Sequence, residues 1–161
     1  MQNQEKLVQI KNEKTAWIIL TVMVICYFLP YKIGFSHNSV WYSRFVYQFF
    51  HVTIWHLLIN LTALWEFRKV KFRYFFVAYL ISCPILLYGD KLTMGFSGVL
   101  FAIGGMCVGT QNSRLHDNIY FLITFVISYF IYKWVGMSNI FIHIYCFYLG
   151  QIYGIWMKRW Y

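Results

Sequence analysis

Four polar side chains stand out because the segments that contain them are otherwise largely apolar. They are His56 and Asn60 in HVTIWHLLINLTALWEF, Ser97 in GFSGVLFAIGG, and His143 near the start of the last apolar run. A polar side chain in hydrocarbon costs free energy unless it has a partner, so such residues are the first places to look for function. Serine and histidine together are typical of nucleophilic catalysis, in which the imidazole accepts the hydroxyl proton.

The spacing of the histidines predicts which side chains share a helix face. Asn60 follows His56 by four residues, so both are expected on one face, with Asn60 one turn further along. His51 precedes His56 by five residues and is predicted to point elsewhere and to hydrogen-bond the preceding loop. We therefore interpret His51 as a supporting residue.

Two stripes of small residues predict close contact between the segments that carry Ser97 and His143. One stripe consists of Gly98, Ala102, Gly105 and Gly109, and the other follows His143 as Cys146, Gly150 and Gly154. Small residues let helix backbones approach closely, which would bring the hydroxyl and the imidazole within hydrogen-bonding distance. A serine beside glycine is more often a packing residue when it is considered alone. Its occurrence with three other polar residues at one predicted depth favours a catalytic site.

The composition predicts the setting of these residues. The 161 residues are 60% hydrophobic, 23% aromatic and 12% charged, which is too apolar for one water-soluble core. Apolar runs near residues 15–31, 50–67, 72–89, 96–111, 119–134 and 140–157 predict an all-α membrane protein with six transmembrane helices. We expect a single membrane domain over residues 1–161, in which residues 1–14 form a cytoplasmic N-terminal segment.

The net charge of +9 is explained by membrane orientation better than by binding to nucleic acid. With a cytoplasmic amino terminus, both termini are cytoplasmic and most basic residues lie on that side, where they can contact anionic lipid. The predicted inner residues are Lys6, Lys11, Lys14, Arg68, Lys69, Lys71, Arg73, Arg114, Lys158 and Arg159; the outer ones are Lys32, Arg44, Lys91 and Lys133. The four cysteines form no CxxC pair and are interpreted as small core residues.

Three motifs resemble those of the rhomboid family of intramembrane serine proteases. They are HxxxxHxxxN at His51, His56 and Asn60; GxSG at Gly95, Ser97 and Gly98; and His143 with small residues at +3, +7 and +11. The first of these small residues is Cys146, where the family usually has glycine. The resemblance extends over about residues 44–154, although Trp41 and Arg44 are separated here, whereas the family commonly has an adjacent Trp-Arg pair.

The resemblance implies a role for each site residue. Ser97 and His143 would form a catalytic dyad, and His56, Asn60 and the Ser97 N–H would stabilise the oxyanion. Phe101 would pack on the catalytic imidazole, because no carboxylate is predicted at that depth to complete a triad. Gly95 is expected to permit the turn before Ser97, and Gly98 to leave space for substrate backbone.

The activity implied is that of a serine endopeptidase that cleaves in or near the transmembrane segment of another membrane protein. The expected location is a bacterial inner membrane, with the site toward the outer side and the aromatic residues 41–50 forming an interfacial loop. No cofactor and no metal are expected. The sequence does not determine the oligomeric state or the substrate.

Two other interpretations remain open. Three histidines could ligate a metal ion, although HExxH and accompanying carboxylates are missing. The chain could also be a catalytically inactive rhomboid-like protein that binds transmembrane helices, although such a protein would be expected to lack Ser97 or His143.

Overall fold

The structure, a computed structural model, describes residues 13–36, 38–83, 92–110, 119, 122–126, 129–130 and 140–159. Five helices are named here as α1 (Glu13–Phe28), α2 (Ile54–Glu66), α3 (Phe72–Ile81), α4 (Ser97–Thr110) and α5 (Ile140–Arg159). Two short 3-10 helices, Trp41–Phe45 and Tyr47–Phe49, precede α2, and residues 122–126 and 129–130 are also helical. Within these ranges the β pairing is one isolated antiparallel bridge between Phe35 and Thr93. The all-α class is therefore seen in the described part.

The predicted bundle of six transmembrane helices is wrong. In the described part, one helix, α5, is long and apolar enough to cross a membrane, whereas the apolar helices α3 and α4 have 10 and 14 residues. At about 1.5 Å per residue these two helices are about 15 and 21 Å long, against a hydrocarbon core of about 30 Å. The prediction that both termini are cytoplasmic depended on six spans and is withdrawn with it. Half of the predicted fifth span, residues 119–134, lies outside the described residues, as do residues 1–12 of the predicted N-terminal segment.

The helices are shorter than the apolar runs because local sequence signals delay the start of α2 and end α3 early. Thr53 caps α2, since its side chain accepts a hydrogen bond from the His56 N–H, so residues 50–53 of the apolar run are not helical. Helix α3 ends at Ile81, three residues before Pro84, where a proline disfavours helical backbone in the residue before it. Hydropathy measures composition and does not detect these boundaries.

Helices α4 and α5 form the closest helix pair, as the two small-residue stripes predict. A methyl group added at Gly105 would lie 2.0 Å from the carbonyl oxygen of Phe147, and one added at Gly150 would lie 2.1 Å from that of Ala102. Backbones that approach this closely leave no room for a side chain at those positions. The predicted contact between the stripes is therefore confirmed, and it compensates for the low helix propensity of the glycines.

Apolar side chains from all five helices meet in one core, which includes Met23, Leu64, Phe75, Ile103 and Ile142. The arrangement of the helices around it gives the molecule two distinct ends. Helices α4 and α5 run parallel to each other, because the first turn of α4 contacts the first turn of α5. Helix α3 is antiparallel to both, because Ser82 at its C-terminal end packs against Gly98 at the start of α4.

The end opposite the first turns of α4 and α5 is strongly basic. An ion pair of 3.6 Å between Arg68 Nε and Glu13 Oε1 joins the start of α1 to the chain after α2 at this end. We call it the basic end, and it carries Lys14, Arg68, Lys69, Lys71, Arg73, Lys158 and Arg159. The remaining cations of the described residues are Lys32 and Arg44, which lie toward the other end.

Candidate active site

Ser97 and His143 meet at the end of the molecule opposite the basic end. Ser97 is the first residue of α4 and His143 lies in the first turn of α5, and 2.7 Å separates Ser97 Oγ from His143 Nε2. This is hydrogen-bonding distance, although the two residues are 46 positions apart in the chain. The imidazole is buried whereas the serine is partly exposed. The pair thus has the geometry in which a histidine can accept the proton of an accessible hydroxyl.

An aromatic stack holds the imidazole of His143. The ring of Phe101 lies 4.4 Å from it between centroids with an interplanar angle of 22°, as predicted for this position. Phe101 also stacks on Phe125, with 5.1 Å between centroids, and Phe125 meets Phe147 edge-on. The carboxylates of the described residues, Glu13 and Glu66, lie toward the basic end. Within the described part, packing by Phe101 therefore orients the imidazole.

A glycine turn brings His56 to the segment that leads to Ser97. Gly95 has φ of 111°, which favours glycine, and its N–H donates a hydrogen bond to the carbonyl oxygen of Tyr47 at 3.1 Å. A methyl group on Gly95 would lie 2.5 Å from His56 Cε1 and 2.8 Å from His56 Nε2. The absence of a side chain at Gly95 therefore serves two purposes: it permits the turn, and it lets the imidazole of His56 lie against the backbone.

Asn60 lies one turn deeper in α2 and is buried. Its Nδ2 donates a hydrogen bond to the carbonyl oxygen of His56 at 2.9 Å. This bond uses one of the two amide hydrogens and holds the side chain along the helix toward His56. The predicted alignment of His56 and Asn60 on one face is thus reflected in a direct contact.

His51 differs in part from its predicted position. As predicted, it contacts the loop, with Nδ1 3.3 Å from the carbonyl oxygen of Phe49. The expectation that it points away from His56 is wrong, because the two rings lie 5.0 Å apart between centroids in an edge-on arrangement. That expectation treated both residues as helical, whereas α2 begins only at Ile54.

Gly98 faces the helices that surround it. A methyl group there would make ordinary contacts of 3.5 Å with Cys146 Sγ, Ile142 Cγ2 and Ser82 Cβ. Helices α4 and α5 are therefore less tightly packed near the dyad than at Gly105. The side chain of Cys146 occupies part of the space between them beside Gly98. Gly98 is buried among these three side chains, and its role of leaving space for substrate backbone stays a prediction.

The spacing of residues did not predict a buried polar cluster that ties the loop before α2 to the end of α3. The Tyr47 hydroxyl donates a hydrogen bond of 2.6 Å to the carbonyl oxygen of Ser82, and Gln48 Nε2 donates one of 3.3 Å to Ser82 Oγ. Since Ser82 packs against Gly98, this cluster lies beside the first turn of α4. The signal available was the presence of Tyr47 and Gln48 among aromatic residues, but nothing in the sequence names their partner, 34 or 35 residues away.

The backbone that leads to Ser97 is anchored to the segment that follows α1. Two hydrogen bonds of 2.8 and 2.9 Å pair Thr93 with Phe35, just before the turn at Gly95. The Ser97 N–H lies in the first turn of α4, where helix geometry provides no acceptor and favours a nearby negative charge. The site therefore combines a partly exposed hydroxyl, an imidazole within hydrogen-bonding distance of it and a helix N-terminus.

Known proteins add no assignment to this geometry. No protein-family model matches the chain, and a search of curated proteins finds no relative. Among the described residues, no three histidine, cysteine or acidic side chains gather in a way that could hold a metal ion. The resemblance to rhomboid proteases therefore rests on the three sequence motifs.

Proposed function

We propose that this protein is a serine endopeptidase of the rhomboid type that hydrolyses a peptide bond in or beside the transmembrane segment of a membrane-protein substrate. The observation that carries the proposal is the 2.7 Å distance between Ser97 Oγ and His143 Nε2. Stacking of Phe101 on the imidazole supports it further, because a base must be held in one orientation to act.

The proposed reaction has two steps. His143 Nε2 takes the proton of Ser97 as Oγ attacks the scissile carbonyl carbon, and His143 then gives that proton to the amine that leaves. The acyl group remains on Ser97 as an ester. A water molecule, deprotonated by His143, attacks this ester; His143 then returns the proton to Ser97 Oγ as the ester bond breaks, which releases the carboxylic acid and the free enzyme. The chemistry requires no cofactor.

Three donors are proposed to stabilise the oxyanion: the Ser97 N–H, the side chain of His56 and the side chain of Asn60. The contact of His56 with Gly95, two residues before Ser97, supports this role. One amide hydrogen of Asn60 is engaged by the His56 carbonyl, so Asn60 would contribute its second hydrogen or act by holding His56. Loss of one such donor is expected to raise the barrier by about 2.7–4 kcal/mol.

The proposed location is a membrane, with the dyad toward the non-cytoplasmic face. Helix α5 is the one described helix able to span a bilayer, and its last turn carries Lys158 and Arg159. Lys and Arg are enriched at the cytoplasmic ends of membrane helices, so the C-terminal end of α5 is proposed to face the cytoplasm. The membrane proposed is a bacterial inner membrane.

Cleavage of a model transmembrane substrate by the purified protein in detergent tests the proposal. Ser97→Ala and His143→Ala are each expected to abolish cleavage, and Ser97→Ala is expected to abolish labelling by a fluorophosphonate. Thr110→Ala provides a matched control, because its hydroxyl lies at the other end of α4 and bonds the carbonyl oxygen of Cys107. Cleavage that persists in both dyad variants would reject the site. A wild-type protein that neither cleaves nor reacts would reject the protease and favour the helix-binding alternative.

A further inference from the structure

Two histidine nitrogens next to the site are buried without a partner. His51 Nε2 and His56 Nδ1 make no hydrogen bond to any part of the chain that the structure describes. Their rings lie 5.0 Å apart between centroids with an interplanar angle of 67°. Buried polar atoms in folded proteins are almost always satisfied, by protein or by ordered water. Two such atoms on neighbouring rings therefore call for a shared explanation.

The contact with Phe49 determines which nitrogen of His51 carries hydrogen. A carbonyl oxygen can only accept, so His51 Nδ1 must donate across the 3.3 Å to Phe49 O. His51 is fully buried, and the described carboxylates lie toward the basic end, so a neutral ring is favoured. The Nε2 atom of this neutral ring is then a bare acceptor that needs a donor.

The role proposed for His56 imposes the same requirement on its Nδ1 atom. An oxyanion donor needs hydrogen on Nε2, the atom that lies on the ring edge facing Gly95. In the neutral ring Nδ1 is then bare, and it is also buried. Two neighbouring acceptors cannot satisfy each other, but one group that donates two hydrogen bonds would satisfy both.

We propose that a single buried water molecule donates to both His51 Nε2 and His56 Nδ1, which makes His51 a positioning residue that fixes the tautomer of His56. A water can join two nitrogens up to about 5.5 Å apart, which is compatible with the separation of these rings. The resulting series of hydrogen bonds extends from the Phe49 carbonyl through His51 and the water to His56. The Nε2–H of His56 is then directed toward the oxyanion. The inference rests on the proposed function, because that function requires hydrogen on Nε2.

The test combines the tautomer of His56 with the kinetics of two His51 variants. Nitrogen NMR of protein labelled with ¹⁵N-histidine in detergent is expected to show wild-type His56 with hydrogen on Nε2. His51→Phe keeps a ring but removes the acceptor, and it is expected to disturb that tautomer and to lower kcat about 10- to 100-fold at similar KM. His51→Gln presents an amide near the former Nε2 position, so it can still bond the water and is expected to recover most of kcat.

Several results would overturn the water bridge. One is a wild-type His56 with hydrogen on Nδ1, which can be read even if His51→Phe does not fold. Another is a folded His51→Phe protein with unchanged kcat and an unchanged His56 tautomer. If these results occur while Ser97→Ala is still inactive, the bridge is wrong and the protease stands. If Ser97→Ala cleaves normally, the proposed function itself fails.

Discussion

The phenyl ring of Phe101 lies almost parallel to the imidazole of His143, with 4.4 Å between centroids and 22° between planes. If this contact orients the base, Phe101→Leu lowers kcat while leaving KM nearly unchanged. Aromatic pairs contribute about 0.5–1.5 kcal/mol beyond their buried area, which corresponds to about a 2- to 12-fold effect. Steady-state cleavage assays measure both constants. Phe101→Tyr keeps the ring and should retain activity; a Phe101→Leu enzyme with full kcat would contradict the orienting role.

Alanine substitutions at Gly95 and Gly98 should have opposite consequences. Gly95→Ala adds a methyl group 2.5 Å from His56 Cε1 at a φ of 111°, so we expect a stability loss of about 1–3 kcal/mol and impaired cleavage. Gly98→Ala makes only ordinary contacts in a helix, where alanine is favoured by up to about 1 kcal/mol. Thermal unfolding in detergent compares the two. Equal melting temperatures for both variants would argue against the turn at Gly95.

Gly105→Ala tests the contact between α4 and α5. Its methyl group would lie 2.0 Å from the Phe147 carbonyl oxygen and 2.8 Å from the Gln151 nitrogen, and backbone cannot rotate away. The helices must separate, at a cost of about 1–3 kcal/mol or more. We expect a lower melting temperature together with weaker fluorophosphonate labelling of Ser97, because the dyad spans the same helix pair. Thr110→Ala is the control on the same helix, and wild-type labelling in Gly105→Ala would show that the dyad does not depend on this contact.

Tyr47→Phe tests the polar cluster beside the first turn of α4. The substitution removes the 2.6 Å hydrogen bond to the Ser82 carbonyl and leaves that buried oxygen without this donor. A stability loss of about 1–3 kcal/mol is expected in thermal unfolding. The Ser97–His143 pair is untouched, so kcat at low temperature should be close to wild type. A large loss of kcat without loss of stability would mean that the cluster acts in the reaction instead.

The dyad could be predicted from the sequence because its determinants are local patterns. Polar residues within apolar runs mark candidates, and small residues at spacings of three and four mark the helix faces that can touch. His143 begins one stripe and Ser97 directly precedes the first glycine of the other, so the predicted helix contact brings them together. The packing of Phe101 on the imidazole, by contrast, is implied by the resemblance to rhomboid proteases.

Other features could not be predicted because they depend on where helices end. Hydropathy does not detect that Thr53 caps α2, so the apolar run around Thr53 predicts a full span. The same run places His51 in a helix, whereas His51 lies in the loop before α2. The bond between Tyr47 and Ser82 joins residues 35 positions apart in separate elements. No periodicity in either segment encodes that pairing.

The glycines of α4 and α5 set the axial register of the two helices relative to each other. Gly105 and Gly150 fit against opposing carbonyls, and a slip of one residue would move the helices by about 1.5 Å and pull the serine oxygen out of reach of the imidazole. Reactivity would thus depend on residues that have no side chain. A chain with the same serine and histidine but bulkier residues at these positions would hold the hydroxyl and the imidazole apart. The glycines therefore offer a criterion for distinguishing chains that can form the dyad from chains that carry only its two residues.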